Sequence, residues 1–409
     1  MSNVTPVLAG LDATTAWQEK LYQQLHAHPE LSFQETETSA EIVRRLESFG
    51  YEVQRIGGGV VGVLANGEGP TVLARADMDA LPVKENTGLP YASQVTAVDD
   101  QGNTVPVMHA CGHDVHVTAG LGAAELLSAS KDRWSGTYIA LFQPAEELAA
   151  GSRRMVDEGL VGAVPTPDVC LAQHVMPGVA GNVASRPGAV MSAADSIRIT
   201  VYGKGSHGSM PHLGIDPVLL AASIVQSLQS IVARVLAPGD FGVVTVGSLQ
   251  AGTKANIIPD NAVLRVNIRA YDTEVRDTIL ASIERIVRAE CQAAGSPREP
   301  DFEYYDHYPL THNSAEQTAK VMDAFRDHFG EDRVAVGEPV TASEDFSTIP
   351  EAFGAPYVYW FTGGFLPGMP VFPNHNPGFA PAMQPTLRTG TEAIVVAAMA
   401  YFGKETAEQ

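Results

Sequence analysis

The chain has 409 residues, 45% of them hydrophobic, and sets 26 Lys and Arg against 47 Asp and Glu for a formal net charge of −21. Such a length supports one or two domains around a large buried core. The acidic balance argues against nucleic acid or an anionic membrane as partner, since either needs a basic surface, but not against an anionic small molecule, whose charge a metal ion or one arginine can meet locally.

At the N-terminus, residues 1–11 lack the basic and long apolar regions of a secretory signal, and no apolar run approaches the ~20 residues of a spanning helix. Residues 15–26 and 38–50 carry helical patterning, the second closed by Gly50. Residues 60–64 and 71–76 are strand-like and separated by Asn66-Gly67. A helix follows over 115–127, with Asp114 as a possible cap, then strands over 138–142 and 169–172. This alternation predicts a mostly parallel, mixed α/β sheet flanked by helices.

After Pro187 the rhythm changes. Ile197, Ile199 and Val201 alternate with Arg198, Thr200 and Tyr202 as in a half-buried strand. A helix over 217–235, strands over 243–249 and 262–270, a helix over 275–293 and a strand over 302–305 complete an α+β unit of two helices and four strands. Residues 189–305 are therefore expected to form a second domain inserted into a discontinuous first one, 1–188 and 306–409. The first resumes with a helix over 316–329, a strand over 357–361 and a helix over 388–402.

The chemistry concentrates in a few places. His109-Ala110-Cys111-Gly112-His113-Asp114-Val115-His116 puts a thiol and three imidazoles within eight positions, and these are ligands of borderline-soft divalent metals. The alternating spacing of Cys111 and His113 lets both reach one ion from an extended loop. Asp77 and Asp79 follow one apolar run, Glu146 and Glu147 a second, and His174 a third. In an open α/β sheet the ligand crevice lies past the carboxyl ends of such strands. One of the two aspartates can approach the metal while the other orients a ligand imidazole. One of the two glutamates can bind metal while its neighbour serves as general base on water. The alternatives are a turn with two solvated acids and the acidic first turn of a helix. His375 lies in the rigid polar loop Pro373-Asn374-His375-Asn376-Pro377. Gly57 to Gly62 fits a dinucleotide-binding glycine pattern but leads into a strand, so no helix N-terminus is offered to a pyrophosphate. Cys111, Cys170 and Cys291 are too scattered for a disulfide framework, and a reducing cytoplasm is the expected setting.

Seven stretches in order carry a family resemblance: His26 to Phe33, Arg75 to Pro82, His109 to His116, Gln143 to Glu147, Ser206-His207-Gly208, Asn256 to Asp260, and Ser343 to Phe346. Together they resemble the amidohydrolase branch of the aminoacylase/carboxypeptidase metallohydrolases, which includes hippurate hydrolases, auxin–amino-acid conjugate hydrolases and N-acyl-amino-acid deacylases. The resemblance implies two divalent ions per subunit (zinc, manganese, cobalt or nickel) held by Cys111, His113, Glu147, His174 and His375. It implies Glu146 as catalytic base and Asp79 as the acid that orients the site. Peptidase members of the wider family have a metal-binding histidine where this chain has Asp77, which leaves a direct role for Asp77 open. The insert resembles a lid and dimerisation domain, in which His207 matches an oxyanion-stabilising residue and Asn256 and Arg269 match positions that bind the substrate's carboxylate or carbonyl. Their alternatives are a turn histidine, a turn asparagine and a strand-edge salt bridge. The implied substrate is a small N-acyl-L-amino acid, the implied assembly a homodimer or larger, and the rival reading a dipeptidase or carboxypeptidase of the same fold.

Overall fold

The computed structural model describes residues 4–402. Its principal strands are β1 (Glu52–Ile56), β2 (Gly59–Asn66), β3 (Thr71–Asp77), β4 (Gly136–Gln143), β5 (Val169–Val179), β6 (Val183–Ser185), β7 (Ala193–Tyr202), β8 (Gly242–Ala251), β9 (Asn261–Ala270), β10 (Asp301–Tyr308), β11 (Val334–Val336) and β12 (Tyr357–Phe365). The principal helices are α1 (Leu11–Ala27), α2 (Thr36–Ser48), α3 (His113–Ala129), α4 (Pro217–Leu228), α5 (Thr273–Ala293), α6 (Ala315–Phe329) and α7 (Met383–Phe402). The chain divides into two compact units: one of Met1–Val190, His312–Glu338 and Asp345–Gln409, the other of Met191–Thr311 and Pro339–Glu344.

The larger unit holds an eight-stranded sheet in the order β1-β2-β4-β3-β5-β12-β6-β11. Its centre, β4-β3-β5-β12, is parallel throughout, while β1, β2 and the β12–β6 pair add antiparallel contacts. On one face Val72, Leu171, Val358 and Trp360 pack with Leu121 and Leu127 of α3, Phe325 of α6 and Val395 of α7. Leu73, Ile139, Leu141 and Cys170, alternate with these, are also fully buried. Burial on both faces explains why these strands are continuous apolar runs rather than alternating ones. α3 is buried nearly all round, as expected of a helix without a polar stripe.

The smaller unit is an antiparallel sheet in the order β8-β9-β7-β10 that packs on α4 and α5. Ile197 lies opposite Val266, Ile199 opposite Leu264 and Val201 opposite Ala262, and all six are buried beneath Leu220, Ile224, Ile283 and Val287. Asp216 caps α4 through the N–H groups of Val218 and Leu219, and Asp272 caps α5 through those of Glu274 and Val275. The unit begins at Met191 and runs to Thr311, past the expected boundary of 305, and recovers Pro339–Glu344, a short return without periodicity of its own. The helix expected over 217–235 is α4 followed by a π-helical turn, Ile231–Val235. Contrary to the expectation from sequence, these 19 residues are long and apolar enough, by length and composition, to cross a membrane. Ser223, Gln226, Ser227, Gln229 and Ser230 interrupt the apolar run, and the face with Leu220, Ile224 and Leu228 is buried in the unit's core.

One buried cation ties the first helix to the larger unit. His26 of α1 has Nδ1 2.7 Å from Asp114 Oδ2 and Nε2 3.1 Å from Glu85 Oε1, all three buried. Glu85 also accepts from Ser93 N at 2.6 Å, and the Tyr91 ring meets His26 edge-on at 5.5 Å. Burial alone would lower the His26 pKa, but the bonds to Asp114 and Glu85 prevail and raise it to about 10 from 6.5. The imidazolium is thus favoured by folding, so its contribution to stability is complete below pH 6.5 and is lost as pH rises toward 10.

Two outcomes follow. His26→Ala should flatten the fall in melting temperature between pH 6.5 and 10, relative to wild type, in thermal scans of the metal-free protein. Leu264→Ala should cost about 2–5 kcal/mol and appear as lost amide-exchange protection in β7 and β9, the larger unit being unaffected.

Candidate metal centre

The carboxyl ends of the central parallel strands deliver the polar side chains. β3 ends at Asp77, and Met78 N then donates to Gln143 O at 3.0 Å, holding the exits of β3 and β4 together. Past β4 the chain turns sharply at Ala145, whose φ is 47°, and enters the short 3-10 turn Glu146–Leu148. The Ala145 N–H donates to Glu35 at 2.9 Å and the Glu147 N–H to Asp79 Oδ2 at 3.1 Å. Burial, with Asp79 nearby, raises the Glu35 pKa to about 7. His174 lies inside β5, which runs to Val179, beyond the strand expected over 169–172. α3 starts from Gly112, at φ 81°; a Cβ there would lie 2.4 Å from Val175 Cγ1, so only glycine fits.

These turns bring the expected donors of the larger unit together. Cys111 Sγ lies 3.4 Å from His174 Nε2, and His113 Nε2 lies 3.9 Å from Glu147 Oε1. His375 Nε2 lies 3.3 Å from Glu147 Oε2. Donor atoms of Cys111, His113 and Glu147 fall within 4.8 Å of one another. The two buried imidazoles are oriented alike. His113 Nδ1 donates to Asp79 O at 2.9 Å, with Asp79 Oδ1 at 3.2 Å, and His174 Nδ1 donates to Val175 O at 2.8 Å. A carbonyl only accepts, so each ring carries its proton on Nδ1 and can turn a lone pair inward at Nε2. Asp79 is itself held by Ser32 Oγ at 2.6 Å.

The charge balance of this cluster suits a cation. His113 Nε2 is buried and has no hydrogen-bond partner among the described residues. Burial and the neighbouring His116 hold His174 well below the usual imidazole range, so it is neutral. The bond to Cys111, then that to Glu147, raises His375 to about 10. Burial lowers the His113 pKa, but Asp77 and Asp79 prevail and raise it well above the usual imidazole range. A thiol, carboxylates and imidazoles form the mixed S/N/O set that divalent transition ions accept, and such an ion would take the place of the protons that His113 and His375 hold without it. Glu146 is buried, with its carboxylate within 4.8 Å of that of Asp345.

Asp77, His113, His116 and His174 also place one donor atom each within 4.8 Å of the others. Asp77 accepts from Arg75 Nη1 at 2.6 Å and from His116 Nδ1 at 2.5 Å, and its Oδ2 lies 3.7 Å from His113 Nε2. Arg75 and Gln143 extend this buried network to Asp345, which also receives Ser152 Oγ at 2.8 Å. The place of His116 was not foreseen beyond its membership of the motif. Its three-residue offset from His113, which puts both on one helix face, was the available signal. Asn374 was also missed; its Nδ2 donates to Val175 O at 3.2 Å and lies 3.6 Å from Cys111 Sγ.

His207, Asn256 and Arg269 belong to the smaller unit. His207 is exposed, and its Nδ1 accepts from Ser209 N at 3.1 Å, which puts the ring proton on Nε2 and makes it a donor. Ser206–His207 pairs antiparallel with Ile257–Ile258, His207 lying opposite Ile257, and the adjoining Asn256 accepts from Gly208 N through its carbonyl at 2.8 Å. Arg269 is not in a strand-edge salt bridge: it donates through Nη1 to Thr341 O at 2.9 Å and Ser343 Oγ at 2.8 Å, and through Nε to Asn267 at 3.2 Å.

Residues 73–400 match the family model described as peptidase family M20/M25/M40. The chain is 37% identical to hippurate hydrolase of Campylobacter jejuni over 346 residues, 83% of this chain and 87% of that one. It is 35% identical to thermostable carboxypeptidase 1 of Saccharolobus solfataricus over 95% of this chain and 96% of that one. The solved structure of the Bacillus subtilis YXEP protein, described as a dinuclear metal binding peptidase from the M20 family, superposes with a TM-score of 0.78 at 28% identity, covering 95% of this chain and 98% of that one. The chain therefore belongs to peptidase family M20/M25/M40 and, with these relatives, to its metal-dependent amidohydrolases.

Proposed function

We propose that the chain hydrolyses the amide bond of N-acyl-L-amino acids, releasing a carboxylic acid and an amino acid. The observation that carries this reading is the convergence of Cys111, His113, Glu147, His174 and His375 around a buried imidazole nitrogen, His113 Nε2, that has no hydrogen-bond partner among the described residues. These five residues would hold two divalent ions, drawn from zinc, manganese, cobalt and nickel. When bound, such ions polarise the scissile carbonyl and lower the pKa of water toward ~7.

The remaining work falls to side chains. Glu146, buried in the turn beside Glu147, takes the proton of the attacking water and delivers it to the departing nitrogen. Asp79 keeps the His113 ring in one tautomer and, through Glu147 N–H, fixes the turn that carries both glutamates. His207 offers an Nε2 proton to the developing oxyanion. Asn256 and Arg269 are assigned to the carbonyl and carboxylate of the amino-acid half, where a planar guanidinium fits a carboxylate. The motif resemblance and the deacylase relatives support an acylated amine; a relative with 34% identity over 84% of this chain is the N-acetyl-L-cysteine deacetylase of Bacillus subtilis. The archaeal carboxypeptidase relative keeps a second reading in view, cleavage of a peptide with a free amine on the acyl side. A homodimer or larger assembly in the cytoplasm completes the proposal.

Glu146→Gln should lower kcat by ~10²–10⁴-fold while metal content, measured by atomic emission, stays that of wild type. Unchanged turnover would remove Glu146 from the chemistry. In a panel of metal-loaded protein with N-acetyl and N-benzoyl amino acids against dipeptides of the same C-terminal residue, the acylated series should have the higher kcat/KM. Preference for dipeptides would establish the peptidase reading instead.

A further inference from the structure

Asp77 and His116 stand within reach of the proposed ligands, and their hydrogen bonds assign them a different task. The Val175 N–H donates to His116 Nε2 at 2.8 Å. A backbone N–H can only donate, so Nε2 of His116 carries the lone pair and its single N–H is at Nδ1. That N–H is directed at Asp77 Oδ1, 2.5 Å away, and the other Asp77 oxygen holds Arg75 Nη1 at 2.6 Å. Both nitrogens of His116 are thereby spent inside the protein. The Val175 N–H belongs to the peptide bond that leaves His174, and the Val175 carbonyl receives the His174 Nδ1 proton at 2.8 Å. The ladder between β3 and β5 ends at Arg75 opposite Ala172, and His116 supplies the acceptor for Val175 N–H beyond that point.

Resting on the metal-site reading above, we infer that Arg75, Asp77 and His116 form a buried brace that positions His174 without donating an atom to either ion. The brace begins on β3, crosses α3 and ends on the Val175 N–H, in the peptide bond that leaves His174. His174 is therefore aimed by its own ring bond to Val175 O and by the anchoring of the backbone from which it projects. All members are buried, so no water is at hand to take over a lost bond. Asp77 as the charged partner of both Arg75 and His116 cannot be neutralised or shortened without releasing two groups at once.

The test uses cobalt binding to the full chain, with no assay of turnover. Asp77→Asn and His116→Ala should each bind cobalt ~10–100-fold more weakly than wild type, the usual effect of removing an outer hydrogen-bond partner. Both should still saturate at the wild-type number of ions, with the thiolate-to-cobalt absorption band in place. His116→Gln should recover most of the lost affinity, because a carboxamide can accept from Val175 N–H and donate to Asp77 yet offers no imidazole. Circular dichroism and the melting temperature of the metal-free variants establish folding; if His116→Ala does not fold, His116→Gln and Asp77→Asn decide alone. Loss of one ion at saturation in Asp77→Asn, or in His116→Gln, would make that residue a ligand and overturn the inference, as would wild-type affinity in Asp77→Asn. Cys111→Ala serves as the separate control: if it keeps the thiolate band, the metal-site reading itself falls, whatever the brace variants do.

Discussion

Lone pairs and negative charge withdrawn from water must find a positive partner, and this constraint organises the larger unit. Cys111 and His113 at the start of α3, Glu147 in the turn past β4 and His174 within β5 meet beside strands that are buried on both faces, where an unmatched carboxylate or thiolate would cost several kcal/mol. The protein meets the demand in layers. Asp79 and the Val175 carbonyl take the outer imidazole protons, Arg75 neutralises Asp77, and His26 sits as a cation between Asp114 and Glu85. Charge placed inside by the protein is thus paired outward from the centre. The centre itself is left with donors facing donors, an arrangement that a divalent ion completes.

The fold serves this arrangement by geometry alone. A parallel sheet sends all its carboxyl ends the same way, so four central strands need no special sequence to bring their exits to one edge. What the sequence adds is tight exits. Ala145 at positive φ immediately precedes Glu146 and Glu147, Gly112 at positive φ against Val175 sits between Cys111 and His113, and His375 itself has a positive φ of 66°. In the smaller unit the same physics runs differently: alternating strands bury one face against α4 and α5, and polar residues such as Arg198 and Arg265 take the other.

How much was legible follows from what is local. Cys111 and His113 could be read from residue type and spacing, and the ends of β3 and β4 from apolar runs that stop at paired acids. His174 could be found, although the strand was expected to end before it, because β5 leaves its partner β3 at Ala172 yet continues along β12. The inserted unit was legible as four strands and two helices, but not its second piece, since six residues returning at Pro339–Glu344 carry no period. His26 gave no local sign of its role; Asp114 and Glu85 meet it from far along the chain. The division of labour between Asp77 and His116 depends on which nitrogen faces which atom, and composition cannot encode that. Arg269 was matched as a carboxylate-binding position, and only coordinates reveal that two of its nitrogens are already engaged with Asn267, Thr341 and Ser343.

The discontinuity of the larger unit bears on how the protein matures. Cys111, His113, Glu147 and His174 all precede the insert, whereas His375 follows it, in a loop after β12, the strand that lies beside β5. On a ribosome the first four emerge, and the whole smaller unit is synthesised, before β12 and His375 exist. Domains fold largely as they emerge. The smaller unit, with its own core, can close first, while the larger sheet waits for a central strand. On the proposed ligand set, the full group of donors can assemble only once the insert, β12 and His375 have all been synthesised, and until then the nascent chain displays a thiol and two imidazoles without the last of their companions.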